Sequence, residues 1–140
     1  MKLSVNLFIL SFVILFSCKS QEPKFEDYSG KYISIGKGGG FSGLYSGFYL
    51  FEDGRVFSFN TLNNEKLYIG KLEENTAKQF FVNYNFLELK DKNVNSPGNM
   101  NYFIEYKDGK EVFKSLWSME NKDEQLSLYY KTLLGQLSKL

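Results

Sequence analysis

The sequence predicts an α+β fold: a small antiparallel sheet built from hairpins, with two helices packed on one face. Asp53-Gly54 and Asp108-Gly109 each separate two β-rich runs, which is the strongest short-range signal of a hairpin. Two other segments repeat apolar residues at helical spacing. Aromatic residues make up 18% of the 140 residues, with 10 Tyr and 14 Phe, so a short chain can still bury a large apolar area.

The first two strands are expected in a glycine-rich part of the chain. Tyr28–Gly36 is the predicted first strand, and Lys37–Gly40 is the predicted loop after it. The next run, Phe41–Phe51, is interrupted by Gly43 and Gly47. Glycine inside a strand indicates a bulge or the close approach of another backbone.

Two hairpins account for the other strands. Asp53-Gly54 is expected to form a type I′ turn, in which both central residues need a positive φ. Asn60–Lys66 is a predicted polar loop, and Asp91–Asn101 is another, with a turn at Ser96–Asn99. The remaining predicted strands are Val56–Phe59, Leu67–Leu72, Tyr102–Lys107 and Lys110–Trp117, the last two flanking Asp108-Gly109.

Both helices are predicted from apolar periodicity and a capping residue. Thr76 and Gln79 have the spacing of a capping box, and this helix is expected to end near Asn85. Asn121 is the predicted cap of the second helix, with Glu124 at its third position. The apolar faces are Ala77, Phe80, Phe81 and Tyr84 in the first helix, and Leu126, Tyr130, Leu133, Leu134 and Leu137 in the second.

The first residues have the features of a secretory signal. Lys2 supplies a positive charge, and Leu3–Phe16 is apolar except for two Ser and one Asn. This segment is shorter than the roughly 20 apolar residues that a membrane-spanning helix needs, so a signal peptide is the better interpretation. The segment ends in Leu15-Phe16-Ser17-Cys18, and Cys18 is the only cysteine of the chain.

Leu15-Phe16-Ser17-Cys18 resembles the lipobox of bacterial lipoproteins, with Phe16 bulkier than the usual residue. The resemblance implies that residues 1–17 are removed by signal peptidase II and that Cys18 carries a diacylglycerol thioether and an acylated amino terminus. Residues 18–27 would then tether a single domain, 28–140. Lys19 does not resemble the inner-membrane retention signal, which favours the outer membrane, with the domain facing the periplasm or the exterior.

Composition argues against several classes of function. The chain has no His and one Cys, so His-dependent triads and zinc sites with His or Cys ligands are excluded. Lys plus Arg number 17 and Asp plus Glu 16, so a basic surplus for nucleic acid is missing. Glu52 and Asp53 are adjacent carboxylates, but polar residues are favoured in a turn anyway. We therefore expect a non-catalytic protein that needs no cofactor and no metal.

The candidate binding residues are those of the glycine-rich segment, Gly39, Gly40, Phe41, Ser42 and Gly43. A phosphate loop would need Gly-Lys-Ser/Thr leading into a helix, whereas a β run follows here, so the alternatives are a plain strand connection and a protein-binding loop. Trp117, the single Trp, is expected in the core rather than at an exposed binding site.

Gly38-Gly39-Gly40-Phe41-Ser42-Gly43 is similar to the Gly-Gly-Phe-x-Gly signature of emfourin-like proteins, small bacterial inhibitors of thermolysin-type metalloproteases. Pro97–Glu105 and the Leu-rich final helix also look like that family. The resemblance implies a function in which a loop enters a protease cleft. Two alternatives remain open: a structural or assembly lipoprotein of the cell envelope, which predicts an extended exposed aromatic patch, and a small-ligand binder with an aromatic cavity at the sheet.

Overall fold

The computed structural model describes residues 21–140, and the predicted signal peptide and Cys18 lie outside this range. The strands are β1 Tyr32–Gly39, β2 Leu44–Phe51, β3 Arg55–Asn60, β4 Glu65–Lys71, β5 Asn95–Ser96, β6 Met100–Asp108 and β7 Glu111–Ser118. The helices are α1 Glu74–Phe86, between β4 and β5, and α2 Glu124–Leu137, after β7.

All seven strands belong to one sheet, in the spatial order β4-β3-β2-β1-β6-β7-β5. Every neighbouring pair is antiparallel except β5 and β7, which run parallel. The predicted α+β class is confirmed, and β5 is a strand that the sequence did not predict. On one side of β1, neighbouring strands are also consecutive in the chain, because hairpins connect β1 to β2, β2 to β3 and β3 to β4.

Both helices pack on the same face of the sheet, which we call the helix face. In α1, Tyr84 stacks on Tyr106 of β6 with ring centroids 4.8 Å apart. In α2, the ring of Tyr130 meets Trp117 of β7 edge to face at 5.9 Å. Tyr102 pairs with Trp117, and Tyr106 lies four residues after Tyr102 in β6. Side chains an even number of residues apart in a strand point to the same face, so these three residues share one face of the sheet. Trp117 is 1% exposed, which confirms that it belongs to the core.

The first strand is displaced from its predicted position. β1 begins at Tyr32 and continues through Gly39, so the loop predicted at Lys37–Gly40 is wrong. Gly38 pairs with Tyr45 of β2, and a methyl group on Gly38 would lie 2.7 Å from the Tyr45 ring. The same methyl group would lie 2.1 Å from the Leu44 carbonyl oxygen, so glycine allows β2 to approach β1 closely here, although the run looks locally like a flexible loop.

Both Asp-Gly hairpins are confirmed, but neither has the type I′ arrangement of positive φ. At the first, Gly54 donates its amide to the Phe51 carbonyl at 2.9 Å, and Gly54 is the turn residue with positive φ, at 93°. This pattern is a type I turn followed by a left-handed glycine. At the second, Asp108 pairs with Glu111, and Gly109 has a φ of 59°. A positive φ at the first central residue is typical of type II′.

The helix faces are as predicted, whereas both caps are wrong. Every residue of the predicted α1 face is buried, and in α2 Leu134 is half-buried while the other predicted residues are buried. Helix α1 begins at Glu74, and the Thr76 hydroxyl donates to the Glu73 carboxylate at 3.1 Å instead of capping amides. Helix α2 is capped by Asp123, whose carboxylate accepts from the Leu126 amide at 2.9 Å.

The Asp123 carboxylate is expected to make the free energy of unfolding depend on pH at the acidic end. Burial favours a higher pKa for Asp123, but the Leu126 amide and the Lys92 ammonium, 2.9 Å away, outweigh it and lower the pKa. The ionised carboxylate therefore stabilises the fold above the unfolded-state pKa, and this contribution is lost as the pH falls through the lowered value. We expect Asp123→Ala to lose about 1 kcal/mol at neutral pH.

The matched variant is Asp123→Asn, which keeps a capping side chain but cannot titrate. Urea unfolding at several pH values should show the wild type losing its advantage over Asp123→Asn below about pH 4. Parallel loss of stability in the two proteins on acidification would contradict this role of the carboxylate.

Two buried tyrosines give opposite predictions for the same substitution. The Tyr84 hydroxyl is buried and has no hydrogen-bond partner among residues 21–140. The Tyr129 hydroxyl donates to the Phe80 carbonyl at 2.8 Å. Tyr84→Phe should leave the free energy of unfolding unchanged or raise it, and Tyr129→Phe should lower it by about 1 kcal/mol. Equal losses in urea unfolding would show that Tyr84 also has a partner, such as a buried water.

The face opposite the helices, the open face, is partly covered by the segment before β1. Phe25–Asp27 forms one 3-10 turn, and the Phe25 ring packs against Tyr49 of β2 at 4.6 Å. The ammonium of Lys66 lies 3.9 Å from the centroid of the Phe25 ring. Packing on the sheet thus begins at Phe25, before the expected domain start at Tyr28. Across residues 21–140, no helix combines the length and apolar character needed to cross a membrane.

Candidate functional site

The glycine-rich segment forms the connection between β1 and β2 and projects from one end of the sheet. Gly39 ends β1, and Gly40–Ser42 is one 3-10 turn. Gly40 and Gly43, on the two sides of Phe41 and Ser42, both have a φ of 63°. Side chains are rarely tolerated in this left-handed conformation, so the shape of the turn explains both glycines. We call residues 39–43 the Phe41 loop.

Ser42 and the neighbouring strand hold the Phe41 loop in one conformation. The Ser42 hydroxyl donates to the Gly39 carbonyl and accepts from the Leu44 amide, both at 3.3 Å. A methyl group on Gly39 would lie 2.6 Å from the Asn101 amide nitrogen, so the base of the loop rests closely on β6. The loop is therefore braced at the end of the sheet by its own hydrogen bonds and by its contact with β6.

Phe41 is the outstanding side chain of this loop, because its relative exposure is 111%. An aromatic side chain that projects fully into water costs free energy unless something covers it. The five residues predicted as a binding segment are thus contiguous and, from Gly40 to Gly43, exposed. Phe86, at the end of α1, is the other exposed aromatic residue among residues 21–140.

Other apolar side chains are exposed at the same end of the sheet as Phe41. Strand pairing puts Gly39 opposite both Leu44 and Met100. The turn after β3 reaches this end as well, since the Thr61 amide donates to the Tyr45 carbonyl at 2.9 Å. The exposed residues, which we call the apolar rim, are Phe41, Leu44, Leu62, Met100 and Met119, with exposures of 111%, 38%, 70%, 47% and 61%.

In the first hairpin, the Asp53 carboxylate is bonded within the turn. The Asp53 carboxylate accepts from the Arg55 side chain, with Nε at 2.7 Å, and from the Arg55 amide at 3.1 Å. The Arg55 guanidinium also lies 3.6 Å from the centroid of the Tyr28 ring. No group of three or more potential metal-ligating side chains occurs within residues 21–140.

A groove of about 590 Å³ lies on the open face, between the β3–β4 turn and β7. Its floor is aromatic, and polar and charged side chains line its two sides. The floor residues are Tyr45, Tyr49, Phe59 and Phe103. The sequence offered one signal for it: Tyr45 and Tyr49 in β2, and Phe57 and Phe59 in β3, alternate with the residues of the helix face, so both faces of these strands carry large apolar groups.

One carboxylate at the side of this groove is held in place by a tyrosine. The Tyr32 hydroxyl donates to Glu105 at 3.0 Å, and the Lys114 ammonium lies 3.6 Å from the other oxygen of Glu105. Burial and the negative charge of Glu105 raise the pKa of Tyr32, so its hydroxyl remains a donor in ordinary buffers. The orientation of Glu105 is thus fixed from two sides.

Comparison of the sequence with models of known protein families gives no match, and comparison with curated protein sequences gives no significant match either.

Proposed function

We propose that the mature chain is a lipid-anchored protein of the bacterial envelope whose domain, without catalysis, binds another protein through the Phe41 loop. The observation that carries the proposal is the full exposure of Phe41 on a loop that is braced by the Ser42 hydroxyl. Membrane attachment rests on the sequence around Cys18. Acyl chains on this residue would hold the protein at the membrane, since each buried CH₂ contributes about 0.8 kcal/mol.

The Phe41 loop has the properties of an interface anchor. Aromatic residues that fill a partner's pocket often dominate the free energy of binding. A loop that is already ordered loses little conformational entropy on binding, so more of the contact energy appears as affinity. Around the anchor, the other residues of the apolar rim would be covered by the partner and keep water away from it.

An inhibitor of thermolysin-type metalloproteases is the first form of this function to test, because the loop sequence is similar to that of emfourin-like proteins. The mature lipidated chain in detergent micelles is titrated into thermolysin, and hydrolysis of a small peptide substrate is followed. We expect saturable inhibition with the inhibitor chain left intact by mass spectrometry. Absence of inhibition, or cleavage of the chain within the loop, would contradict the inhibitor role.

A structural or assembly protein of the envelope is the second candidate. The observation that favours it is the number of aliphatic residues in the apolar rim, since exposed apolar patches mark contact surfaces. Under this alternative, thermolysin is unaffected, and an envelope protein is bound without loss of any proteolytic activity. The extended exposed aromatic patch expected for such a protein is not found among residues 21–140, where Phe41 and Phe86 are the exposed aromatic residues.

Cys18→Ser tests the anchor. Without the thiol no thioether can form, so we expect the variant to keep its signal segment unprocessed or to leave the membrane fraction altogether. Detergent phase partitioning measures membrane attachment, and the intact mass of the purified chain shows whether it was processed and acylated. The mass of the wild type should include two or three acyl chains. Membrane attachment and mass unchanged by Cys18→Ser would contradict lipidation.

A further inference from the structure

The floor of the open-face groove is aromatic, and two of its rings lie close to the backbone of β1. Gly36 and Gly38 of β1 have no side chain on this face, and a methyl group on either would lie 2.7 Å from the ring of Phe103 or Tyr45, respectively. The missing side chains at these two positions therefore leave room for both rings. Tyr49 and Phe59 extend the floor, with ring centroids 5.1 Å apart. Neighbouring rings of the floor are tilted, by 54° between Tyr49 and Phe59 and by 43° between Phe59 and Phe103. Each ring has an electron-rich face that can meet the C–H groups of a ligand.

The sides of the groove carry balanced charge. Glu65 and Lys66 lie on the β4 side, and Glu105 and Lys114 on the side of β6 and β7. A site for a phosphate-rich ligand or a nucleic acid would need a basic surplus, which these two acidic and two basic groups do not provide. A ligand without net charge fits this lining best.

The same sides provide both hydrogen-bond donors and acceptors. Asn60 and Asn64 add amide groups next to the carboxylates and ammonium groups. A hydroxyl group both donates and accepts, so a ligand rich in hydroxyls can use every one of these partners. The volume of about 590 Å³ is in the range of about 300 to 1,000 Å³ that small-molecule sites occupy.

We propose that the open-face groove binds a neutral oligosaccharide, with sugar rings packed on Tyr49 and Phe59 and hydroxyls bonded to the polar sides. A peptide that binds by adding a strand is not suited to this position, because that mode of recognition needs a free strand edge. The strands below the centre of the groove have no free edge: β1 is paired with β2 on one side and with β6 on the other. Only side chains are offered to a ligand there.

The test is calorimetric titration of the mature chain, in a detergent without sugar headgroups, with neutral trisaccharides. The set comprises α- and β-linked glucose, galactose and N-acetylglucosamine trimers. At least one should bind saturably, and Tyr49→Leu and Phe59→Leu should each weaken it at least tenfold, because leucine keeps apolar volume but lacks a flat face. Asn64→Gly, which keeps a residue suited to the φ of 54° at this position, should also weaken binding.

Phe86→Ala and Phe41→Ala are the controls and should leave sugar binding unchanged. Lack of binding by every trisaccharide, or equal affinity of the wild type and the two leucine variants, would overturn the proposal, and so would binding of a neutral hexapeptide in place of the sugars. The saccharide proposal does not depend on the Phe41 loop. Loss of protein binding in Phe41→Ala with intact sugar binding would separate the two sites.

Discussion

Phe41→Ala is expected to weaken binding of the partner protein at least about 30-fold, equivalent to about 2 kcal/mol, while the stability of the domain does not change. The side chain is fully exposed, so its removal takes away no contact that the folded domain needs. The binding loss follows from the loss of the aromatic anchor. The measurement compares partner recovered from detergent-solubilised envelope on immobilised wild-type and variant lipoprotein, together with urea unfolding of both.

Phe86→Ala is the matched control, because Phe86 is also aromatic and 81% exposed but belongs to α1. It should recover as much partner as the wild type. A second control, Ser42→Ala, removes the hydroxyl that braces the loop and should weaken binding less than Phe41→Ala. Equal recovery of the partner by the wild type and by Phe41→Ala would show that Phe41 does not contribute to the interface.

Gly47→Ala is expected to destabilise the domain by at least about 3 kcal/mol or to prevent folding. The added methyl group would lie 2.0 Å from the Ile35 carbonyl oxygen and 2.6 Å from the Gly36 Cα. Both atoms belong to the backbone of β1, so no side chain can move aside to relieve the contact. Strands β1 and β2 would have to separate at the centre of the sheet, where Gly47 pairs with Gly36.

The control for this prediction is Gly30→Ala. Gly30 lies just before β1, and a methyl group there has no other atom within 4 Å to meet. Its free energy of unfolding should stay within about 0.5 kcal/mol of the wild type. Thermal and urea unfolding of the two variants give the comparison, and equal stability of Gly47→Ala and Gly30→Ala would show that β1 and β2 do not approach this closely.

Periodic features of this fold were predictable from the sequence, and features set by distant contacts were not. The α1 face, with Ala77, Phe80, Phe81 and Tyr84, is buried as predicted because its spacing depends only on helix geometry. The cap at Asp123 was missed because Asn121 and Asp123 are equally favoured capping residues, and the local sequence does not decide between them. The pairing of β5 with β7 was missed because its two residues, Asn95 and Ser96, give no local strand signal.

The candidate sites differ in the same way. Gly39–Gly43 was predictable as a candidate, since the glycines and Phe41 are adjacent in the chain. Its exposure depends on where β1 ends and where β2 begins, and the sequence placed both incorrectly. The open-face groove combines residues from six strands and a turn, so only the alternation of aromatic residues in β2 and β3 indicated that this face is lined with rings.

Photo-crosslinking from position 41 tests whether the Phe41 loop contacts another protein in the cell. Phe41 and, separately, Phe86 are replaced by benzoylphenylalanine in the full-length chain, and intact cells are irradiated before the membranes are analysed. We expect one discrete crosslinked protein from position 41 that is missing from position 86 and is competed away by excess wild-type domain. No crosslink from position 41, or the same products from both positions, would contradict a protein-binding role for the Phe41 loop.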